Sequence, residues 1–331
     1  MSPAAVPHKP RVFSLYPLEP SVIEYGSQFF DLTVPGDPDW KNWREEAEAV
    51  MVRSNVIDAD DVAKFGPGLK FVGKHGVGID QLAAKEIRSK GVIIMNTAGV
   101  NATAVAELAL ALTMTLARNI PAIDRRIRSG ATVDKNAEGA VGIQLTGRTF
   151  GIVGGGNIGY TLGKMLYGAF GAQIYLYDPV LSPTMAQKWA DLLPSSKLIR
   201  VDNVDDMMPH IDVLSLHVPL IESTRGIIGE KQLKAMKPTA IVVNTARGGV
   251  VDEAALLKAL KEKWISAAGI DAYAIEPPHV DNYSELIAQE RVVSLPHIGA
   301  ASLDVIRITA IAVLDHLKDA FAGNPRDIVT V

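Results

Sequence analysis

The chain has 331 residues, enough for about two domains of ordinary size, and 48% of them are hydrophobic, ample for two cores. A net charge of -4 leaves no electrostatic footprint for nucleic acid or an anionic membrane. There is no cysteine, which removes disulfides, thiol nucleophiles and Cys-based metal sites together and fits a reducing, cytoplasmic setting.

The opening MSPAAVPHKP has neither a signal-peptide apolar core nor an arginine-rich amphipathic pattern and reads as a frayed leader. From Arg11 to about Thr97, the short apolar runs VFSLY, DLTV, AVMVRS, KFVGKHG and VIIMNT alternate with polar helical segments. This predicts a small parallel α/β domain. In the loop HGVGIDQLAAKEIRSKG, strand gives way to helix at Gly76, Val77 and Gly78. Backbone amides gathered at such a turn form a concavity suited to a carboxylate, although a tight turn using glycine for positive φ explains the loop equally well. Arg53 closes AVMVRS at the same sheet edge, where it either meets a ligand's anionic end or simply faces solvent.

Asn101 to Asn119 is apolar on nearly every side, which predicts a helix buried between domains or between subunits. It is interrupted by Glu107 and is too short to span a bilayer. The basic run Arg125, Arg126 and Arg128 reads as a solvated helix end, and Ser129 to Gly147 as loop-rich.

Thr149 to Asp178 organises the rest. An apolar run leads into Gly154, Gly156 and Gly159 in G-x-G-x-x-G spacing, then a helical segment, then a second apolar run closed by Asp178. This β-α-β pattern is built to hold a dinucleotide, with the amides of Asn157 and Ile158 opening the helix toward the phosphates. Asp178 lies 19 residues beyond Gly159, where a carboxylate accepts from ribose hydroxyls and repels a 2'-phosphate, so NAD is favoured over NADP.

Beyond Asp178 the strands DVLSLHVP, AIVVNTA, SAAGIDA and VVSLP bring the count to six, the number in a doubly wound parallel sheet. A last helical segment, Ala301 to about Gly323, is expected to pack back on the first domain. Ligands in such sheets bind outside the carboxyl ends of strands, and there Arg247 follows AIVVNTA, Glu276 follows SAAGIDAY and His297 follows VVSLP. Arginine can fork onto a 2-oxo acid, histidine can exchange the hydroxyl proton, and glutamate beside it favours the imidazolium. His217 also follows a strand and reads as lining the cofactor cleft. The histidines show no metal-ligand spacing, so no metal is expected.

The segments GVGID, NATAVAELAL, GIVGGGNIG with YDP, LHVPLIEST, NTARGGVVDE, AGIDAYAIEPP and LPHIGAAS together resemble the D-isomer-specific 2-hydroxyacid dehydrogenases along essentially the whole chain. The resemblance implies a Rossmann cofactor domain, 102–298, and a smaller flavodoxin-like substrate domain, discontinuous over 1–101 and 299–331. It implies the catalytic trio Arg247, Glu276 and His297, with Val77 and Gly78 offering amides to the substrate carboxylate. Thr245, Ala246, Asp271, Gly299 and Ala300 would surround the nicotinamide end, Asp271 accepting from its carboxamide. A homodimer formed through the cofactor domain and the long helix is implied as well. Glu276, where formate dehydrogenases carry glutamine, argues against formate. The pattern is that of glyoxylate and hydroxypyruvate reductases, or of phosphoglycerate dehydrogenase without its regulatory domain; a corepressor-like NAD-sensing protein is the alternative of another class. Apolar residues around Leu15 to Leu18 are expected in the pocket wall, tilting the reading toward glyoxylate, hydroxypyruvate or an uncharged larger 2-oxo acid.

Overall fold

A computed structural model describes residues 8–329; most of the leader, with Thr330 and Val331, lies outside them. The chain divides into two compact units, Met1–Asn101 with Ser302–Val331, and Ala102–Ala301. The second crossing therefore falls at Ser302 rather than Gly299. Gly299 stays with the cofactor unit because its amide donates to Asp271 at 2.9 Å.

The substrate unit is a five-stranded parallel sheet of β1 (Arg11–Ser14), β2 (Asp31–Thr33), β3 (Ala49–Val52), β4 (Phe71–Lys74) and β5 (Ile93–Asn96), ordered β2-β1-β3-β4-β5. That is the flavodoxin order. Its central strands read as unbroken apolar runs because both faces are covered. On one face Phe13, Val50, Val72 and Ile94 pack with Trp43 and Ile87. On the other, Val12, Met51, Phe71 and Met95 meet the helix Leu303–Phe321 through Ala310, Val313, Leu314 and Leu317. Gly73 allows this approach, since a Cβ there would lie 2.6 Å from Val313. Leu15 and Tyr16 are buried, Leu15 in the first of these cores and Tyr16 in the second. The end of the chain returns to the sheet, with Ile328 bridging Met95 antiparallel and the Val329 amide donating to the Ile94 carbonyl at 2.9 Å.

The cofactor unit is a seven-stranded parallel sheet: β6 (Thr149–Val153), β7 (Gln173–Tyr177), β8 (Leu198–Val201), β9 (Val213–Leu216), β10 (Ile241–Asn244), β11 (Ala267–Ile270) and β12 (Val292–Ser294). The order is β12-β11-β10-β9-β6-β7-β8, so the winding reverses between β6 and β9. The extra strand, β8, is an edge strand, LIRV, with three half-buried residues and an exposed Arg200, too mixed to read as a strand from its pattern.

The helix Ala102–Ala117 belongs to the cofactor unit. It lies on the sheet of its own unit, where Ala106, Ala109, Leu112 and Leu116 pack with Phe150, Ile152 and Val243. A stripe of Thr103, Glu107, Ala111 and Met114 remains exposed. The basic run ends the helix Ile120–Arg128, where Arg126 pairs with Glu138 and Glu290, and Arg128 with Asp124. The stretch read as loop contains a helix, Lys135–Val141, capped by Asp134. No helix among the described residues is long and apolar enough to cross a membrane.

Trp189 is the largest fully buried side chain. Its ring rests on Gly163, where a Cβ would come within 2.4 Å of it, and meets Tyr160 edge to face at 5.5 Å. Its Nε1 donates to the Gly155 carbonyl at 2.8 Å, tying the core to the glycine loop. Trp189→Ala is expected to lower stability by about 3–5 kcal/mol in urea unfolding, because the cavity cannot close against a rigid helix and strand. A loss under about 1 kcal/mol would show that the pocket collapses.

Candidate active site

The first βα turn of the cofactor unit assigns one task to each glycine. Gly154 has φ +98°, and a Cβ there would lie 2.7 Å from the His217 carbonyl oxygen across the switch point. At Gly156 a Cβ would meet nothing within 4 Å, so the space beyond it is open. At Gly159 a Cβ would lie 2.1 Å from the Gly154 carbonyl, so only glycine lets the helix sit this close to the strand. The helix Asn157–Phe170 starts at Gly156 without a side-chain cap. Its first amides, those of Asn157 and Ile158, therefore face outward unpaired, at the positive end of the dipole. An open cradle lined by N–H groups fits a pyrophosphate.

Asp178, expected to meet the ribose hydroxyls, has two backbone partners within the protein. Its Oδ2 accepts from the Gly155 amide at 2.8 Å and its Oδ1 from the Val180 amide at 3.1 Å, so it also braces the glycine loop. His217, read as lining the cofactor cleft, directly follows β9. Its Nε2 lies 2.9 Å from Ser215 Oγ, and its Nδ1 is buried without a partner among the described residues. Burial pushes this imidazole down to about 3, so it is neutral at physiological pH and no proton donor. Thr245 Oγ1 is a second buried polar atom without a partner, at the end of β10 beside Ala246. An orphaned hydroxyl at the carboxyl edge is what a bound group would satisfy.

The strand-end trio lies wholly within this unit. Glu276 and His297 are brought together, with His297 Nδ1 at 2.9 Å from Oε1 and 3.0 Å from Oε2. Glu276 Oε1 also accepts from the Tyr273 amide at 3.2 Å. Partial burial works against its charge, but the hydrogen bond and charge of His297, the Tyr273 amide and the Arg247 charge outweigh it and hold the carboxyl below its ordinary value. A carboxylate on Nδ1 fixes the ring so that Nε2 is the atom left to exchange a proton. Arg247, just beyond β10, donates from Nη1 to the Ala246 carbonyl at 2.7 Å, while Asn244 Nδ2 holds the Arg247 carbonyl at 3.0 Å.

His297 itself is in the left-handed region, φ +61°, a conformation that costs a non-glycine residue about 1 kcal/mol or more. Asp271 holds it there. This carboxylate is 1% exposed, and its two oxygens accept the amides of Ile298 and Gly299 at 2.8 and 2.9 Å. Within the protein, the partner of Asp271 is the backbone that follows His297. Gly299 and Ala300 belong to that braced turn. Sequence reasoning also passed over the groups that fix the Glu276 loop: Glu253 Oε1 accepts the Ala274 amide at 2.7 Å and the Tyr283 hydroxyl accepts the Ile275 amide at 2.8 Å.

In the substrate unit, Val77 and Gly78 sit where β4 ends. Gly76, at φ +93°, donates to Thr97 Oγ1 at 2.7 Å, and Asn96 Nδ2 donates to the Val77 carbonyl at 3.1 Å. Thus held, the amides of Val77 and Gly78 have no acceptor among the described residues. Arg53 is half-buried at the same edge, just beyond β3. No group of three or more His, Cys, Asp or Glu among the described residues could hold a metal ion.

A doubly wound sheet with a dinucleotide loop and an Arg, Glu and His at successive strand ends defines a nicotinamide-dependent oxidoreductase. The family model described as D-isomer specific 2-hydroxyacid dehydrogenase, NAD binding domain, matches residues 110–299. The chain is 36% identical to a glyoxylate reductase of Thermococcus litoralis, over 89% of this chain and 88% of that one. It is also 36% identical to a D-3-phosphoglycerate dehydrogenase of Methanocaldococcus jannaschii, over 84% of this chain but only 51% of that protein, so it spans about half the length of that relative. The crystal structure of apo D-mandelate dehydrogenase from Rhodotorula graminis superposes with a TM-score of 0.83 over 98% of both chains, at 25% identity. The chain belongs to the D-isomer-specific 2-hydroxyacid dehydrogenase family, oxidoreductases that act on CH–OH groups.

Proposed function

We propose that the protein interconverts a 2-oxo acid and a D-2-hydroxy acid with NAD, glyoxylate or hydroxypyruvate being the first substrates to try. The observation that carries this reading is the His297–Glu276 pair, two hydrogen-bond distances of 2.9 and 3.0 Å, on a turn that Asp271 forces into a strained conformation. Strain maintained at a proton-exchanging residue is a mark of function rather than of stability.

The nicotinamide, when bound, supplies the two-electron carrier for carbon 2 of the substrate. The protein's part is positioning and proton transfer. Arg247 is assigned to the substrate's carboxylate and carbonyl oxygen, which it orients and polarises. The open amides of Val77 and Gly78 are assigned to the carboxylate. His297 Nε2 gives its proton to the carbonyl oxygen in reduction and takes it back in oxidation, while Glu276 stabilises the charged ring. Reduction therefore gains as pH falls and oxidation as pH rises. One relative similar along most of this chain is a glyoxylate reductase, which supports the choice of substrates.

NAD is preferred over NADP on this reading, through Asp178. Asp178→Ala is expected to weaken NADH binding about 10- to 100-fold, the loss of a charge-assisted hydrogen bond, and to improve NADPH relative to NADH. Calorimetric titration of both dinucleotides measures it, and an unchanged ratio removes Asp178 from cofactor choice. A homodimer through the cofactor unit is also proposed, supported by exposed apolar side chains at Met114, Ile120, Ile127 and Val141; sedimentation tests it.

The deciding experiment is NADH consumption with glyoxylate, hydroxypyruvate, pyruvate, phenylpyruvate and phosphohydroxypyruvate. Rapid oxidation with one of them is expected. Silence across the panel, with NADH bound, would overturn the reading.

A further inference from the structure

Glu276 meets His297 from an unpromising place. Tyr273 is buried, but Ala274, Ile275 and Glu276 after it are exposed, Ile275 by 54%. Core packing therefore contributes little to where the carboxylate sits, and ordering such a backbone costs conformational entropy. Hydrogen bonds hold it instead. Three successive amides before Glu276 each have a side-chain acceptor: Tyr273 N–H donates to Glu276 Oε1 at 3.2 Å, Ala274 N–H to Glu253 Oε1 at 2.7 Å, and Ile275 N–H to the Tyr283 hydroxyl at 2.8 Å. The first bond closes the loop on its own carboxylate. The other two reach it from outside, since Glu253 opens the helix Glu253–Lys261 and Tyr283 lies in the helix Val280–Ile287.

These outside acceptors are themselves fixed. Tyr283 is 9% exposed, and its ring meets that of Tyr273 at 4.7 Å between centroids. The Tyr273 hydroxyl donates to Ser294 Oγ at 2.6 Å, three residues before His297, so both halves of the carboxylate–imidazole pair lead back to one pair of rings. Burial, opposed by the Ile275 amide and aided by the charge and hydrogen bond of Glu253, holds the Tyr283 hydroxyl above its ordinary value. It stays protonated, giving its proton toward Glu253 while accepting from Ile275. Gly248, the residue after Arg247, packs on the same backbone so closely that a Cβ there would lie 2.0 Å from the Tyr273 carbonyl carbon.

The charge on Glu276 depends on this placement. Partial burial opposes it, while the hydrogen bond and charge of His297, the Tyr273 amide and the Arg247 charge hold the carboxyl below its ordinary value. Each of those contributions weakens with distance, and a misplacement of about 1 Å can cost about 10²-fold in rate. We propose that Glu253 and Tyr283 are positioning residues for proton transfer, acting through the Ala274 and Ile275 amides to hold Glu276 on His297 Nδ1. This rests on the 2-oxo acid reading above and adds to it two residues outside the trio.

The test uses the full chain with its best 2-oxo acid, in Tyr283→Phe, Glu253→Ala, Glu253→Gln and the double variant Glu253→Ala with Tyr283→Phe. Tyr283→Phe keeps the ring and removes the acceptor; kcat should fall about three- to tenfold while KM for NADH stays within about twofold of native. The double variant should lose about 30- to 100-fold. As Glu276 loses part of what favours its charge, the acid-side fall of reduction should move up by about half a pH unit or more, toward the ordinary carboxylate range. Glu253→Gln keeps an acceptor oxygen and should recover most of the loss seen in Glu253→Ala. Hydrogen exchange gives a readout that needs no substrate: the Ile275 amide should exchange several-fold faster in Tyr283→Phe, and the Ala274 amide in Glu253→Ala. A double variant with kcat within about twofold of native, or with an unmoved acid-side fall, overturns the inference, as does Glu253→Gln as slow as Glu253→Ala. Should the double variant not fold, Tyr283→Phe preserves the ring packing and carries the same readouts. A native protein that binds NADH and reduces no 2-oxo acid overturns the general reading, and this inference with it.

Discussion

Replacing His297 by alanine is expected to lower turnover of the best 2-oxo acid by a factor of about 10² to 10⁴ while the dinucleotide still binds, because a positioned proton donor contributes about that much. The residue is replaceable structurally. It is exposed, and its strained φ of +61° means that alanine loses little beyond the hydrogen bond to Glu276. A rate within threefold of native would therefore remove it from the chemistry and could not be blamed on unfolding. The pH profile gives a second readout. The Glu276 carboxyl is held below its ordinary value, so its charge is present above that lowered point and is lost as pH falls through it. Reduction should accordingly persist into mildly acid solution, with its acid-side fall lying below the usual glutamate value of about 4.3. In Glu276→Gln, which has no charge to lose, that fall should vanish along with most of the activity.

Arg247→Gln should lower kcat/KM by about 10² to 10³, the magnitude typical of losing one charge-stabilising donor. Lysine should rescue little of this, because an ammonium offers a point charge where a planar fork is needed. The backbone that carries the guanidinium is held independently of it, by Asn244 Nδ2 on the Arg247 carbonyl and by the Asn244 Oδ1 on the Ala246 amide. The variants should thus fold and bind NADH normally. A lysine variant within threefold of native would mean that Arg247 supplies only long-range charge.

The parts of this molecule legible from sequence are those whose chemistry is local. The glycine loop is one: its spacing pointed to the tight turn at Gly154 and the close helix–strand approach at Gly159, where a Cβ would lie 2.1 Å from the Gly154 carbonyl. Arg247, Glu276 and His297 could be found because the ends of parallel strands are where ligands bind, and strands leave an apolar signature. What escaped depends on pairs far apart in the chain. Tyr16 meets His75 across 59 positions, and Asp271 grips the turn after His297 across 27 and 28. Neither contact leaves a periodicity. The edge strand β8 escaped for another reason, since LIRV, with its exposed Arg200, has no apolar run to betray it.

The discontinuity of the substrate unit bears on how the chain comes to be made. Residues 102–301 are contiguous, so that unit can complete its core while translation continues. The other unit's sheet emerges first but must wait for the helix Leu303–Phe321 to cover Phe71, Gly73 and Met95, more than 200 residues later. Until that helix is made, the apolar face formed by Val12, Met51, Phe71 and Met95 lacks the element that covers it, and faces of that kind are prone to aggregate.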